Sequence, residues 1–266
     1  METIKISQFL KSKGFTNRTI KTYSSILNKV FKNLGEQFNE QQVEQWMTTL
    51  NLSPRAYNLY RAIINFYTKQ YLSYSLKFTK AKVNKSLPTF VPKEEFNLIL
   101  KQISNIKHKV GLCLMYGSGL RSYEVCRLKK YNLFFDKLII KVEEAKGGKH
   151  RLTIMPPQIV RWVELLANST NKDNPYLFQT YNRHICERSF QEVLKRAINK
   201  ARIHKHITLH SFRHSFAINL VNRGIDIEEV RKLLGHSSLR TTQIYLQCKT
   251  IDLTQLAMSL GENITK

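Results

Sequence analysis

The chain has 266 residues, 42% of them apolar, and carries 43 lysines and arginines against 19 aspartates and glutamates, a formal net charge of +24. This length and apolar content suit one large or two smaller folded domains and exclude a disordered chain. The basic excess favours a polyanionic partner, of which nucleic acid is the commonest, over an ordinary soluble basic protein. Residues 1–88 already hold fourteen basic against four acidic residues, so the positive charge extends over both halves of the chain.

The N-terminus and the cysteines indicate a cytoplasmic location. The first fifteen residues lack the apolar core of a secretory leader, and no apolar run approaches membrane-spanning length. The four cysteines are far apart and show no zinc-type spacing, which is typical of reduced thiols: Cys113, Cys126, Cys186 and Cys248. We therefore expect a cytoplasmic protein without a membrane partner.

The first third of the chain predicts helices. Apolar residues recur at helical spacing from Thr16 to Gly35, which supplies a stop. A second helix is expected around Trp46, and a third opens with Ser53 as N-cap and Pro54 at the first helical position. This third helix carries a polar stripe that fits either a phosphate-facing surface or a solvated face: Arg55, Asn58, Arg61, Asn65 and Lys69.

A change of composition predicts a domain boundary. Between Ser73 and Pro92 the chain combines two prolines with a cluster of lysines, which favours a basic linker over a helix. We place the boundary near residue 87, with residues 1–87 forming a helical domain and residues 88–266 forming a second domain.

The second domain begins with predicted helices and continues with a small sheet. Helices are expected over Lys93–Lys107 and Val110–Tyr116, and Ser122 can cap the next one. Two strands follow, joined by a turn at Gly147-Gly148: Leu138–Val142 and Arg151–Ile154.

The remainder of the chain is expected to be helical. Thr208 and Leu209 mark one helix start, and Asp226 with Glu229 forms a capping pair before a helix that ends at Gly235. The predicted fold class is therefore mainly α (α+β), with helices in front and one small antiparallel sheet among helices behind. It lacks the alternation of strands and helices of a doubly wound fold.

Four short segments in the second domain contain residues suited to chemistry, although each alone has an ordinary structural explanation. The segments are Gly119–Glu124, Lys146–Lys149, His210–His214, and Leu234–His236 followed nine positions later by Tyr245. Arg121 could be a surface residue beside a helix start, and Lys146 a solvated turn residue. A tyrosine between two aliphatic residues, as at position 245, fits a plain core equally well.

In this order the segments closely resemble the signature of the tyrosine recombinase family, which includes the integrase and Xer-type enzymes. The resemblance covers about residues 88–247, and the helical front end has the size of that family's core-binding domain. It implies six catalytic residues, namely two phosphate-binding arginines, a hairpin lysine, two histidines and a tyrosine nucleophile: Arg121, Arg213, Lys146, His210, His236 and Tyr245. Glu124 matches an acidic position that supports the arginines in the family.

These residue types suit the chemistry that the resemblance implies. A phosphodiester repels nucleophiles because it is negatively charged, and two guanidinium groups can bind its nonbridging oxygens and stabilise the transition state. Attack by Tyr245 would store the broken bond as a phosphotyrosine, so that a 5′-hydroxyl can reseal the strand. The expected partner is double-stranded DNA, and no cofactor, metal, ATP or small-molecule substrate is required.

Proton transfer leaves alternatives open. The leaving 5′-oxygen needs an acid, and Lys146 is preferred over Lys149 because the family's lysine precedes the turn glycine. His210 is a candidate to deprotonate Tyr245 or to orient the phosphate, and His236 to donate a hydrogen bond to a nonbridging oxygen. The sequence alone does not divide these roles between the two histidines.

Two other kinds of site have weaker signals in the sequence. Histidines at spacings of four, His206, His210 and His214, with His204 nearby, suggest a metal site, but no acidic ligand lies in that stretch. Lys146-Gly-Gly-Lys149 lacks the spacing and the following hydroxyl residue of a nucleotide-binding loop. Neither a metal nor a nucleotide is therefore expected.

The tail after Tyr245 has an apolar helical pattern, formed by Ile251, Leu253, Leu256, Ala257 and Leu260. It fits either a lid on its own domain or, as the resemblance implies and as we prefer, a helix that docks on a neighbouring protomer in a synaptic tetramer. The predicted function is site-specific DNA recombination. The alternatives are a type IB topoisomerase-like activity, detectable as DNA relaxation without synapsis, and a DNA-binding protein that cleaves no strand.

Overall fold

The computed structural model describes residues 2–84, 87–145, 149–181 and 183–248. The chain divides into two compact units, Met1–Lys85 and Ser86–Lys266. The first unit is helical, and the second combines helices with a small antiparallel sheet. The α-rich fold class predicted from the sequence is confirmed. Within the described ranges, no helix has both the length and the apolar character that crossing a bilayer demands.

The first unit packs four helices around one apolar core. The helices are α1 (Glu2–Ser12), α2 (Asn17–Leu34), α3 (Glu40–Thr49) and α4 (Pro54–Tyr71). Local signals fix their ends: Thr16 caps α2, Gly35 ends it at φ 78°, and Ser53 caps α4 with Pro54 in its first turn. The predicted stop at Gly35, the predicted N-cap at Ser53 and the predicted place of Pro54 are confirmed. Buried side chains from all four helices form the core, among them Ile6, Leu27, Val43, Ile63 and Tyr67.

Three of the five residues of the polar stripe on α4 make hydrogen bonds inside the first unit, which neither the phosphate-facing nor the solvated alternative anticipates. Asn58 and Ala81 exchange two hydrogen bonds of 2.9 Å. Arg61 Nε donates to the Phe78 carbonyl at 2.6 Å, and Asn65 Oδ1 accepts an amide of the same segment at 2.8 Å. These side chains therefore hold part of the expected linker along α4, because its extended backbone needs partners that no sheet supplies.

The second unit contains seven helices and three strands in its described part. The helices are α5 (Lys93–Lys101), α6 (Ile106–Ser118), α7 (Ser122–Cys126), α8 (Val160–Ser169), α9 (Glu187–Lys200), α10 (Leu209–Asn222) and α11 (Ile227–Leu234). The single helix predicted over Lys93–Lys107 is wrong: α5 ends at Lys101, and Asn105 caps α6 with its side chain. The buried helix predicted over Val110–Tyr116 is confirmed as part of α6.

Two predicted caps of the second unit are wrong in detail. Arg121, rather than Ser122, occupies the N-cap position of α7, and the Ser122 hydroxyl donates to Glu187 instead. Asp226 caps α11 through the Glu228 amide at 2.8 Å, with no reciprocal bond from Glu229 among the described contacts. The predicted helix start at Thr208 and the helix end at Gly235 are confirmed.

The sheet is antiparallel in the order β1 (Leu133–Phe134), β2 (Ile139–Ala145), β3 (Lys149–Ile154). Val142 pairs with Arg151, and Ile139 pairs with Ile154. The predicted hairpin strands are therefore confirmed, although the Gly147-Gly148 turn lies outside the described residues. The side chains of β3 alternate between buried and exposed, but the polar ones are buried. Arg151 and Thr153 face the interior, whereas Leu152 and Ile154 are 56% and 42% exposed.

Helix α6 is the centre of the second unit. It contacts α7, α8, α9, α10 and β3 and is buried on several faces, as expected of a helix whose apolar residues are not confined to one stripe. Helix α10 packs against α6 and also against the short 3₁₀ helix Gln243–Cys248. This packing brings the C-terminal ends of α6 and α11 close to the first turns of α10.

Candidate active site

A buried carboxylate, Glu124 on α7, lies among three arginines. Arg151 on β3 binds it bidentately, with Nη1 to Oε1 and Nη2 to Oε2 distances of 2.7 Å. Arg121 donates from Nη1 to Oε1 at 3.0 Å, and Nη1 of Arg213 on α10 lies 3.8 Å from Oε2. One carboxylate thus holds guanidinium groups from three separate segments, and we call these four residues the arginine cluster.

The arginines keep Glu124 ionised although its side chain is 1% exposed. Burial by itself raises the pKa of Glu124, but the hydrogen bonds and charge of Arg151, the Arg121 amide and the charge of Arg213 lower it to about 2. Glu124 is therefore an anion at neutral pH and can orient the cations around it.

Arg121 is the exposed member of the arginine cluster. Its backbone is extended at the N-cap of α7, and its amide donates to Glu124 Oε2 at 2.8 Å. Its side chain remains 21% exposed, so a guanidinium fixed at one edge by Glu124 still reaches solvent. Such a group can bind an anionic substrate without first being ordered.

Arg213 is the buried member, with 1% of its surface exposed. Its Nη1 donates to the Gly119 carbonyl at 2.6 Å, and its Nη2 donates to the Leu234 carbonyl. Its Nε has no hydrogen-bond partner among the described residues. Burial, followed by the charge of Arg121, lowers the pKa of Arg213 to about 9, which still leaves the guanidinium protonated at neutral pH.

Two glycines allow the backbone to approach the arginine cluster. Gly119 ends α6 at φ 63°, and a Cβ there would lie 2.4 Å from the Phe216 ring. Gly235 ends α11 at φ 62°, and a Cβ there would lie 2.7 Å from Arg151 Cδ. Because left-handed backbone disfavours side chains, both positions combine a conformational and a steric need for glycine.

The Tyr245 side chain is 2% exposed and lies on the 3₁₀ helix Gln243–Cys248. Its hydroxyl lies 2.9 Å from Nδ1 of His214, on α10. Burial raises the pKa of Tyr245, and the positive charges of Arg213 and Arg121 act in the opposite direction. The phenol is therefore protonated at neutral pH and lies within the field of the two arginines.

His236 follows Gly235 and is held from two sides. Its Nδ1 lies 2.9 Å from the Thr242 hydroxyl, and its carbonyl accepts from Arg231 Nη1 at 2.7 Å. Its ring lies nearly parallel to that of Tyr245, at 21° with 6.5 Å between centroids. Burial and then the charge of Arg213 lower the pKa of His236 to about 3, so its ring is neutral. We call Tyr245, His214, His236 and Thr242 the tyrosine pocket.

His210 lies in the first turn of α10 and is exposed. Its ring meets that of His214 edge to face, with 4.4 Å between centroids. Partial desolvation, then the charges of Arg213 and Arg121, lower the pKa of His210. It therefore borders both the arginine cluster and the tyrosine pocket.

The structure brings together five of the six residues singled out from the sequence. Arg121 and Arg213 share Glu124, and their charges act on His210, His236 and Tyr245. Lys146 lies outside the described residues, and so does the side chain of its rival, Lys149. The part of the chain that is described contains no group of three histidine, cysteine, aspartate or glutamate side chains able to hold a metal ion.

Sequence reasoning missed two residues of this site, Arg151 and His214. In the sequence Arg151 is only one member of an alternating strand, and the available signal is its place on the face opposite Leu152 and Ile154. His214 groups with His206 and His210 as a metal candidate, and no local pattern links it to a tyrosine 31 positions later.

Comparison with known proteins identifies the family. Residues 89–250 match the model of the phage integrase family, a range that contains all six predicted catalytic positions. The chain belongs to this family. Tyrosine recombinase XerA of Pyrococcus horikoshii is 30% identical over 249 residues, which cover 91% of this chain and 87% of that protein. The XerA of Pyrococcus furiosus is 32% identical, with coverage of 89% and 86%. The predicted Xer-like tyrosine recombinase is thus confirmed.

Solved structures share the fold at lower identity. The XerH site-specific recombinase, in a post-cleavage complex with its palindromic difH substrate, superposes with a TM-score of 0.76 at 21% identity, covering 96% of this chain and 83% of that one. The Tn1549 transposon integrase in complex with circular intermediate DNA gives 0.75 at 18% identity, with coverage of 96% and 98%. The helices and small sheet described above are therefore those of a tyrosine recombinase.

Proposed function

We propose that this recombinase cleaves and rejoins double-stranded DNA at specific sites, through a 3′-phosphotyrosyl intermediate on Tyr245. Membership of the family and the relatives named above support this reaction. The cytoplasm, where DNA is accessible to a chain with reduced cysteines, is the proposed location. Neither the topoisomerase-like nor the non-catalytic alternative has an observation in its favour.

The observation that carries the proposal is the state of Arg213. Its guanidinium is nearly inaccessible and charged, yet Nε has no partner among the described residues. An unpaired buried donor costs about 1–3 kcal/mol, so native proteins usually match such groups to a ligand or a water. A nonbridging phosphate oxygen supplies a charged acceptor, and the exposed guanidinium of Arg121 supplies a second contact to the same anion.

In the proposed reaction the phenol oxygen of Tyr245 attacks the phosphorus while Arg121 and Arg213 stabilise the charge that accumulates on the nonbridging oxygens. His236 can assist them in the tautomer in which Nδ1 accepts from the Thr242 hydroxyl, because Nε2 then carries the proton for a hydrogen bond to the phosphate. Lys146 is retained as the proposed acid for the leaving 5′-oxygen, on the basis of the family resemblance. The new 5′-hydroxyl of another strand then attacks the phosphotyrosine and reseals the DNA.

The two units have different proposed roles on DNA. We propose that residues 1–87 bind the duplex as a core-binding domain and that residues 88–266 carry the chemistry. Both halves of the sequence have a surplus of positive charge, which attracts the DNA backbone and predicts binding that weakens as salt is added.

Strand exchange also sets the proposed assembly. Two duplexes have four strands to be cut, and each chain brings one Tyr245, so four chains are needed on a pair of sites. We therefore propose a tetramer on DNA, in which the predicted tail after Tyr245, which lies outside the described residues, joins neighbouring chains. Sedimentation of the protein with excess target duplex would test this, with a species of four chains and two duplexes as the expected result.

Covalent capture tests the reaction and identifies the target sequence in one experiment. The purified full chain is incubated with sheared host DNA, denatured, and the DNA that remains attached to protein is sequenced. The unmodified chain is expected to recover a recurrent sequence, and Tyr245→Phe is expected to recover none while still shifting the same DNA in a gel.

A matched control is Tyr181→Phe, which removes the hydroxyl of a 94% exposed tyrosine of the same unit and should leave capture unchanged. Undiminished capture by Tyr245→Phe would show that another residue is the nucleophile. Absence of capture by the unmodified chain on every DNA tested, despite binding, would instead favour the non-catalytic alternative.

A further inference from the structure

His214 makes a contact with the reacting group that the six-residue site does not use. It follows Arg213 on α10, and its Nδ1 lies 2.9 Å from the Tyr245 hydroxyl. Among the described residues, His214 is the one that hydrogen-bonds the phenol oxygen. The two residues are 31 positions apart, and the contact of α10 with the 3₁₀ helix Gln243–Cys248 creates it.

The direction of this hydrogen bond follows from the surroundings. The hydroxyl of Tyr245 is buried, so its proton needs an acceptor within the protein, and no other acceptor for it is present in the described ranges. His214 is neutral, because burial and the nearby His210 and Arg213 lower its pKa to about 4. The phenol therefore donates, and the lone pair of Nδ1 accepts.

The other two histidines are engaged elsewhere. His236 directs Nδ1 to Thr242 and meets Tyr245 only through nearly parallel rings. His210 lies one helical turn before His214 and packs edge to face against its ring. Within the described contacts, neither of them hydrogen-bonds the phenol oxygen.

We propose that His214 is a seventh catalytic residue, which accepts the proton of the Tyr245 hydroxyl through Nδ1 as the phenol oxygen attacks phosphorus. This inference rests on the function proposed above. It assigns His210 to orienting the phosphate and His236 to hydrogen-bonding it, so that each histidine has one role.

The step balances within the site. The O–H bond of Tyr245 breaks, its proton passes to His214 Nδ1, and the bond from the phenol oxygen to phosphorus forms. The bond from phosphorus to the 5′-oxygen breaks with its electron pair, and that oxygen takes a proton from a separate donor, the role proposed for Lys146. Resealing reverses each transfer, and His214 returns the proton to the phenol oxygen.

DNA binding itself favours the transfer. In the free protein the positive charge of Arg213 disfavours a second cation at His214. A phosphodiester bound to Arg121 and Arg213 brings a negative charge that offsets this field, and an adjacent anion raises the proton affinity of an imidazole. His214 thus becomes a better base when the substrate is in place.

Two variants separate proton transfer from hydrogen bonding. His214→Asn places an acceptor oxygen near the position of Nδ1 but cannot take the proton, whereas His214→Ala removes the contact altogether. The assay uses the full chain and a nicked suicide duplex built from the captured sequence, and it measures formation of the covalent adduct. Both variants are expected to form it at least about 100-fold more slowly, as for the loss of a general base.

His108→Asn is the matched control. His108 is also half-buried in the second unit and lies 3.0 Å from a hydroxyl, Ser189 Oγ, and its replacement should leave the cleavage rate unchanged. DNA binding and the midpoint of thermal unfolding are measured for each variant. If His214→Ala does not fold, His214→Asn alone decides, since it keeps the shape and the acceptor.

A duplex with sulfur in place of the bridging 5′-oxygen shows which proton His214 handles, because a thiolate leaves without protonation. The defects of the His214 variants should persist on this duplex. Rescue by sulfur would assign His214 to the leaving group and overturn the proposal. So would cleavage by His214→Asn within about threefold of the unmodified chain, where the effect expected for a lost general base is about 100-fold.

The same assay distinguishes this inference from the proposed function. If Tyr245→Phe abolishes the adduct while the His214 variants form it at the normal rate, only the role of His214 falls. If the unmodified chain forms no adduct with any duplex, the proposed function falls with it.

Discussion

The arginine cluster and the tyrosine pocket are adjacent but are held together by different forces. Arg151 and Arg213 are buried and bound by a carboxylate and by backbone carbonyls on several sides. The side chains of Tyr245 and His236 each make one neutral hydrogen bond, and these residues lie on or beside short 3₁₀ helices. Charge-assisted bonds are roughly twice as strong as neutral ones, so the groups that would bind phosphate are fixed and the nucleophile can be reoriented at low cost.

Removing the charge of Glu124 should have the largest effect. Glu124→Gln leaves Arg151 and Arg213 as buried cations without an anion, and the free energy of unfolding should fall by about 3–5 kcal/mol. Urea denaturation measures this change. Glu192→Gln is the control, because Glu192 faces Arg188 on the surface at 3.9 Å, and less than about 1 kcal/mol should be lost. Equal losses in the two variants would mean that the arginine cluster is not more rigid than the tyrosine pocket.

The close approach at Gly235 can be tested against another left-handed glycine. Gly235→Ala combines about 1–2 kcal/mol of backbone strain with an overpacking cost of about 1–3 kcal/mol, since Arg151 is pinned by Glu124 and cannot withdraw. Gly224→Ala has the same kind of backbone at φ 79° but no atom within 4 Å of the new Cβ, so it shows the strain alone. Thermal and urea unfolding should give a larger loss for Gly235→Ala, and equal losses would exclude the steric contribution of Arg151.

Acid should destabilise the arginine cluster and the tyrosine pocket in different pH ranges. His214 and His236, with pKa values of about 4 and 3, are neutral in the fold, so below the unfolded value of about 6.5 the unfolded chain binds protons first and stability falls. Glu124 has a pKa of about 2 in the fold and of about 4.5 in the unfolded chain. Its contribution to stability is therefore lost as the pH falls between these two values.

Each of these losses should be on the order of 1–3 kcal/mol. Free energies of unfolding measured from pH 7.5 to 2.5 should therefore decrease in two steps. His236→Asn should reduce the upper step, to which His214 still contributes, and Glu124→Gln should reduce the lower one. A curve that stays level between pH 6.5 and 4.5 would contradict the neutral state of the histidines.

The smallest effect is expected for the bond that orients His236. Thr242→Val keeps the shape of a buried side chain and removes the hydroxyl bonded to Nδ1, which should cost about 1 kcal/mol of stability. Adduct formation should slow while DNA affinity stays the same, because the change affects the tyrosine pocket alone. Thr241→Val, at the neighbouring exposed position, is the control. A loss of DNA binding in Thr242→Val would show that the tyrosine pocket cannot be changed without affecting the arginine cluster.

Local signals predicted much of the fold. Ser53 with Pro54, Thr208 and Gly235 each mark a helix end through bonds to residues a few positions away, and such patterns can be read along the chain. The break between α5 and α6 was missed because the cap at Asn105 interrupts a stretch with continuous helical periodicity. The family resemblance, rather than any local pattern, indicated which polar residues lie together in one site.

Contacts between distant segments could not be predicted in this way. Arg61 fits a phosphate-facing stripe by periodicity, but its partner is a carbonyl 17 residues away in an extended segment. Arg151 looks like a charge on a solvated strand until Glu124 on α7 is placed beneath it, 27 positions earlier. His214 and Arg151 were therefore visible only once the helices had been packed.

The carbonyls that accept from the arginines give the site one further electrostatic property. Arg151 and Arg213 bind the carbonyls of Leu233 and Leu234, at the C-terminal end of α11. This is the negative pole of a helix dipole, equivalent to about half an elementary charge. Three guanidinium groups thus face one carboxylate and one helix pole, which leaves a positive charge of about one and a half. A single phosphodiester would neutralise most of it, so the folded chain carries a charge imbalance matched to one backbone linkage of DNA.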